Sequence, residues 1–234
     1  MAAPVYREFA GPWALAEALA AAVARDLHAA QQARGSATLV VSGGNTPRRF
    51  LESLARQPLA FSDLTITLAD ERWVPADHAR SNERLLRETL LRSDARAAKF
   101  IPLYRNAMTP DAALAEVAAD FDALALPFDV VVLGMGMDGH CASLFPGGDN
   151  LQAALASDSV QRVLPMRAPG AEEPRMTLTL AALRQTRAMY LHIEGAQKKD
   201  VLASAMAGDP PYQRAPIASV LRASAARPEI FYCP

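Results

Sequence analysis

Phe128-Asp129-Val130-Val131-Val132-Leu133-Gly134-Met135-Gly136-Met137-Asp138-Gly139-His140-Cys141-Ala142-Ser143-Leu144-Phe145-Pro146-Gly147-Gly148 is the stretch on which the fold turns. Its first part, Asp129 to Leu133, is a short β-branched apolar run, the pattern of a strand buried on both faces of a sheet. The run breaks at Gly134, and Gly136 and Gly139 follow closely. Such spacing permits positive φ and a close approach of ligand to main chain. Two titratable residues, Asp138 and His140, stand two apart in that turn. Open α/β sheets place ligand chemistry just past the carboxyl ends of their strands. Asp138 and His140 are therefore the first candidates for a reactive pair.

Outward from this stretch the same arrangement recurs. Ala37 to Val41 is an apolar run followed at once by Ser42-Gly43-Gly44-Asn45-Thr46-Pro47. Thr46 and Pro47 suit the cap and first turn of a helix through Phe50, Leu51 and Leu54. A strand, a Gly-Gly turn and a helix start bring free N–H groups together, which suits a phosphate. A tight turn needing glycine for geometry alone is the competing reading. Neither a Walker A sequence nor a complete dinucleotide fingerprint is present.

Leu64 to Leu68 is a further strand, and Asp70-Glu71-Arg72-Trp73-Val74-Pro75 follows, read as a loop. Arg72 could clamp a phosphate or carboxylate in bidentate fashion, or serve in a surface ion-pair cluster. Ser81 caps a helix through Leu90, and Asn82 faces either that helix or the site. Thr109-Pro110 opens a helix with apolar Leu114, Val117, Phe121 and Leu124. Trp13 to Arg34 is a long helix with Leu15, Leu19, Val23 and Leu27 on one stripe, stopped at Gly35. Short strands are expected at Val5–Phe9, Lys99–Leu103, Gln161–Met166 and Ile230–Tyr232. Arg175 to Leu180 alternates like a strand but continues like a helix. Ala188 to Ile193 is a late strand, and the helix after it carries Lys198 and Lys199 in its first turn. Lysines there oppose the helix dipole, so a shared anion would relieve them, unless both are simply solvated.

Strands and helices alternate with short turns, which predicts an α/β fold with a doubly wound, mostly parallel sheet and helices on both faces. The chain of 234 residues is expected to form one domain, 1–234. The polar clusters after Val41, Leu68, Leu133 and Ile193 all fall at strand carboxyl ends and are expected to share one crevice. A formal net charge of −1 gives no electrostatic case for nucleic acid or an anionic membrane. No apolar run approaches the ~20 residues of a membrane span, and no secretory signal is evident. Cys141 and Cys233 lack metal-type spacing and are expected as free thiols. A cytoplasmic protein is the expectation.

Together with Arg175-Met176-Thr177-Leu178-Thr179 and Gly195-Ala196-Gln197-Lys198, these motifs resemble the 6-phosphogluconolactonase family over nearly the whole chain. The block Asp138 to Gly147 is the most specific. Asn45 replaces the usual serine and Cys141 the usual threonine. The resemblance implies hydrolysis of a phosphosugar lactone, 6-phosphoglucono-δ-lactone, in the oxidative pentose phosphate pathway. His140 would be the general base, Asp138 its orienting partner and Arg72 a contact for phosphate or oxyanion. Gly43, Gly44, Asn45, Thr46, Asp70, Arg175 and Lys198 would hold the substrate and its phosphate. No metal or organic cofactor is expected. A monomer is the expected state, with weak homodimerisation as the alternative. Glucosamine-6-phosphate deaminases share the glycine turn but continue Asp-Glu-Tyr and Asn-Glu-Pro-Gly. The present chain has Asp70-Glu71-Arg72 and Ser143 to Gly147 in those places. A non-catalytic sugar-phosphate-binding module is the other alternative, and it would have little need of the Asp138–His140 pair. Ser143 is the nearest candidate for a rival nucleophile, but no Gly-x-Ser-x-Gly elbow surrounds it.

Overall fold

The computed structural model describes residues 4–234. Ten strands and eight α-helices follow in chain order among these residues: β1 Val5–Glu8, α1 Pro12–Arg34, β2 Ala37–Val41, α2 Arg48–Leu54, β3 Leu64–Leu68, β4 Asp70–Arg72, α3 Asn82–Thr89, β5 Lys99–Ile101 and α4 Pro110–Asp122. Then come β6 Phe128–Leu133, α5 Leu151–Ala154, β7 Val163–Met166, β8 Arg175–Leu178, α6 Leu180–Leu183, β9 Thr186–Glu194, α7 Ala196–Ala207, α8 Pro216–Ala223 and β10 Glu229–Cys233.

Seven strands form one parallel sheet in the order β1-β10-β9-β6-β2-β3-β5. From β2 the chain winds outward through β3 to β5, and from β6 it winds the other way through β9 and β10. The β2–β6 junction is thus the switch point, where an open α/β sheet leaves a crevice at its carboxyl edge. All six residues of β6 are buried, as expected of a strand covered on both faces. Asp129 near its start is buried too. It accepts from the Thr38 backbone N–H at 2.8 Å and from Arg34, with Arg187 at 3.4 Å. α1 turns Leu15, Leu19, Val23 and Leu27 into the core and ends in a left-handed Gly35 with φ of 76°. Among the described residues, no helix is long and apolar enough to cross a membrane.

Two sequence expectations need correction. Asp70-Glu71-Arg72 is not a loop but β4, which joins β8 and β7 in a second, antiparallel sheet of order β4-β8-β7. Three successive charged residues hide a strand from a periodicity argument, because pairing with β8 supplies what local pattern does not. The Arg175 stretch settles as β8 followed directly by α6, with Thr179 accepting from the Ala182 N–H to cap that helix. The second correction is at Thr46, which caps nothing: Pro47, already helical at φ −76° and ψ −5°, takes the flanking position, and α2 starts at Arg48. Ser81 and Thr109 do cap α3 and α4 as expected, accepting from Arg84 and Ala112.

Candidate active site

A cavity of about 310 Å³ lies at the switch point. Four segments meet there: Ser42 to Pro47 after β2, Asp70 and Arg72 on β4, residues of the loop Gly134 to Ala142 after β6, and His192 with Lys198 around the end of β9. The volume is at the small end of the range for small-molecule sites.

The loop after β6 is folded on itself around the histidine. The Gly136 N–H donates to the His140 carbonyl at 2.9 Å, and the Gly139 N–H donates to the Gly136 carbonyl at 3.1 Å. His140 Nδ1 lies 2.6 Å from Asp138 Oδ1, and that oxygen also accepts from the His140 backbone N–H at 3.2 Å. A carboxylate only accepts, so Nδ1 carries the hydrogen, and in the neutral ring Nε2 is the nitrogen with the lone pair. Partial burial pushes the Asp138 carboxyl up, but the His140 hydrogen bond and charge outweigh it and hold the group below the usual carboxylate range. Gly136 is required here: a Cβ would sit 2.2 Å from His140 Cε1 and 2.8 Å from Asp138 Oδ1. Phe145 supports the imidazole from the side, with ring centroids 4.5 Å apart. Ala142 takes the left-handed φ of 47°, unusual for a residue with a side chain.

Asp70 and Ser143 tie the loop after β6 to the small sheet. Ser143 Oγ donates to Asp70 Oδ2 at 2.6 Å, and the Ser143 N–H donates to Thr177 Oγ1 of β8 at 3.1 Å. Ser143 is wholly buried and is not among the residues lining the cavity, which disposes of it as a nucleophile. Behind Asp70 stands Glu71, fully buried. It accepts from the backbone N–H groups of Arg72, Asn82 and Glu83 and from the Ser81 hydroxyl. Desolvation pushes its carboxyl up to about 7 against the pull of those donors. Glu71 thus anchors the start of α3 and sets Asn82, whose Nδ2 donates to the Asp70 carbonyl at 2.9 Å. Asn82 in turn fits against bare Gly43, where a Cβ would fall 2.0 Å from its Oδ1.

In the turn after β2, which lines the same cavity, Gly44 takes φ of 95°. Among the described residues, no hydrogen bond uses the backbone N–H groups of Gly43, Gly44, Asn45 or Thr46. Free N–H groups aimed at one spot form a cradle for an anion. Lys198 lines the same cavity and makes no ion pair among the described residues. Arg72 stands between this cavity and a smaller cleft of about 70 Å³, its Nη1 donating to the Arg80 carbonyl.

Of the residues singled out from sequence, His140, Arg72, Asp70, Gly43, Gly44, Asn45, Thr46 and Lys198 all line the cavity. Asp138 touches it through His140. Arg175 is not among its lining residues. It is buried against Phe145, with Cζ 5.8 Å from that ring's centroid and Nη2 3.7 Å from Glu173. Desolvation lowers the pKa of its guanidinium. Cys141 is a buried free thiol whose pKa burial raises, and it is absent from the lining. Sequence reasoning missed His192, a buried residue of β9 that lines the cavity and sits 3.0 Å from Glu194. Its signal was a histidine and a glutamate two apart at the end of an apolar strand.

Comparison with known proteins points in one direction. A family model described as glucosamine-6-phosphate isomerases/6-phosphogluconolactonase matches residues 11–228. The chain is similar to a 6-phosphogluconolactonase of Rhizobium meliloti, 48% identical over 97% of either chain. It is also similar to one of Pseudomonas aeruginosa, 45% identical over 89% of this chain and 87% of the other. Among solved structures, a 6-phosphogluconolactonase from Shewanella baltica superposes with a TM-score of 0.93 at 39% identity, covering 99% of this chain and 98% of that one.

Proposed function

The chain belongs to the glucosamine-6-phosphate isomerase/6-phosphogluconolactonase family, and from that premise we propose how its cavity opens a phosphosugar lactone. The reaction is the hydrolysis of 6-phospho-D-glucono-1,5-lactone to 6-phospho-D-gluconate, a step of the oxidative pentose phosphate pathway. The observation that carries the reading is the pair of opposed features in one cavity. A histidine held by a carboxylate at 2.6 Å lies on one side, and a turn of unused N–H groups beside Lys198 lies on the other.

The phosphate seats in the Gly43-Gly44-Asn45-Thr46 turn, with Lys198 adding charge. This places the lactone ring toward the loop after β6. His140 Nε2 takes a proton from a water as its oxygen attacks the lactone carbonyl carbon. Arg72 faces the charge that develops on the carbonyl oxygen. Collapse of the tetrahedral intermediate breaks the bond to the ring oxygen, which takes the proton back from His140 and leaves as the sugar hydroxyl. Asp138 keeps Nδ1–H engaged throughout, so that Nε2 is the nitrogen that exchanges protons. Asp70, with one oxygen taken by Ser143, has its other oxygen for a substrate hydroxyl. Arg175, buried against Phe145 and outside the lining, contributes positive potential rather than a contact.

One chain supplies every group in this scheme, so it proceeds in a monomer, and we read residues 1–234 as one lactonase domain. A cytoplasmic location belongs to the same proposal, supported by two buried free thiols. The test is the decay of the lactone, generated in situ, measured against its spontaneous hydrolysis for wild type and His140→Ala. Wild-type acceleration that the variant loses is the expected result. Equal acceleration by both proteins would remove His140 from its role, and none by wild type would sink the lactonase assignment.

A further inference from the structure

His192 has no part in the scheme above, yet it is one of the most constrained side chains of the cavity. It follows Leu191, which is in register with Leu133 at the end of β6, so it stands at the carboxyl edge beside the switch point. Its ring meets Phe50 of α2 edge-on at 6.4 Å between centroids. Three residues later Gly195 begins the turn into α7 and Lys198. The imidazole therefore packs against the helix that follows the Gly43–Thr46 turn and stands on the strand that leads into the helix carrying Lys198. It is 3% exposed and lines the cavity, and its Nδ1 has no hydrogen-bond partner. A buried polar atom left without a partner costs free energy, and a ligand in the adjoining cavity would pair this one.

The other ring nitrogen is accounted for. Nε2 lies 3.0 Å from Glu194 Oε1, and a carboxylate can only accept, so Nε2 carries a hydrogen. Glu194 is itself an awkward neighbour for a phosphate unless its charge is balanced. The His192 hydrogen bond comes first in holding that carboxyl below the usual range, with Arg49 and Lys198 adding to it.

We propose that His192 is a binding residue for the substrate phosphate, donating Nδ1–H to a phosphate oxygen while Glu194 holds Nε2–H. This deepens the lactonase reading and rests on its placement of the phosphate. The arrangement makes the bound imidazole a cation between two anions, a carboxylate of the protein and the phosphate of the ligand. Lys198 then supplies a mobile charge, whereas His192 supplies a fixed direction.

The test is calorimetric titration of 6-phosphogluconate into wild type, His192→Phe and His192→Gln, with the lactone assay run on the phosphorylated and unphosphorylated sugars. His192→Phe keeps the ring and its contact with Phe50 but has no donor. It is expected to weaken 6-phosphogluconate by about tenfold or more, the worth of one charge-assisted hydrogen bond. The ratio of kcat/KM for the phosphorylated lactone to that for glucono-1,5-lactone is expected to fall by a similar factor. His192→Gln retains an amide donor and should fall between wild type and His192→Phe, and it answers the question alone if the phenylalanine variant fails to fold. Unchanged affinity in the variants overturns the proposal, and so does an equal loss on both lactones, which would mark a structural role. Wild type that binds 6-phosphogluconate but hydrolyses no lactone would overturn the catalytic reading only. His192 would then be judged on affinity alone.

Discussion

Two histidines line the cavity, and each has a carboxylate two residues away, but the two pairs are built for different ends. Asp138 and His140 sit in a glycine turn, bond through Nδ1, and leave Nε2 toward the cavity with the ring partly exposed. His192 and Glu194 sit on one face of a strand, bond through Nε2, and bury the whole imidazole. The same spacing thus yields a ring that can exchange protons with a water and a ring fixed as part of the wall. Secondary structure, not residue identity, decides which nitrogen is offered.

The largest expected effect would break this comparison if it fell on the wrong histidine. His140→Ala should reduce kcat by about a hundredfold to ten-thousandfold, the usual contribution of a general base, with little change in thermal midpoint. A comparable kcat loss in His192→Ala with unaltered KM would erase the distinction between the two pairs. Next come the supports of the reactive ring. Asp138→Asn replaces an acceptor by a group that can also donate, freeing the wrong tautomer, and should lower kcat by at least about tenfold. Gly136→Ala should cost about tenfold to a hundredfold in kcat, because displacing a reacting group by about an ångström is enough to do so. Its circular dichroism should match wild type. A Gly136→Ala enzyme with full activity would show that the ring position seen here is not the one used.

Glu71 sharpens the comparison from another side, as a buried acid that holds backbone rather than an imidazole. Glu71→Gln keeps one acceptor for four donors and should destabilise the fold by about 2–4 kcal/mol in urea titrations. The sign of its pH dependence follows from a folded pKa of about 7 against an ordinary 4.5. The folded state holds the proton more tightly, so the stability Glu71 contributes is fully present below 4.5 and is lost as pH rises through 7. The gap between wild type and variant should therefore shrink between those limits. The smallest effect is at Cys141, beside the general base in sequence. Burial, with the charges of Asp70 and Asp138, raises its thiol pKa, so a disulfide reagent should leave it unlabelled until the protein unfolds.

The legible part of the molecule was the part written in local pattern. β6, β2 and β9 could be read as apolar runs ending in glycine or charge, and the convergence of their ends followed from a parallel sheet. His140, Asp138, Arg72 and Lys198 stood out because charged side chains in a turn have no packing reason to be there. β4 did not stand out as a strand. Its Asp70, Glu71 and Arg72 are satisfied by Ser143, the start of α3 and Arg80, partners 73, 11 and 8 residues away that a period-two pattern does not reveal. His192 escaped for the opposite reason. Within Met189 to Ile193 a histidine reads as core, and only the cavity beside it shows that one nitrogen has nothing to bind. Arg175 was legible as a charge near the site but not as one buried against Phe145, since that placement depends on how β8 lies against the loop after β6.

The edge of the large sheet carries a consequence for synthesis. Among the described residues β1 pairs only with β10, Val5 opposite Glu229 and Glu8 opposite Tyr232, and β10 joins β1 to the rest through β9. A growing chain therefore carries residues 5–8 without a partner until residues 229–233 have been made. Closure of that edge is a late, long-range event whose loop entropy is met only at the end. Deleting the five residues of β10 would release two strands rather than one, and would leave the apolar flank of β9, Tyr190, Leu191 and Ile193, as an open edge on which chains can aggregate.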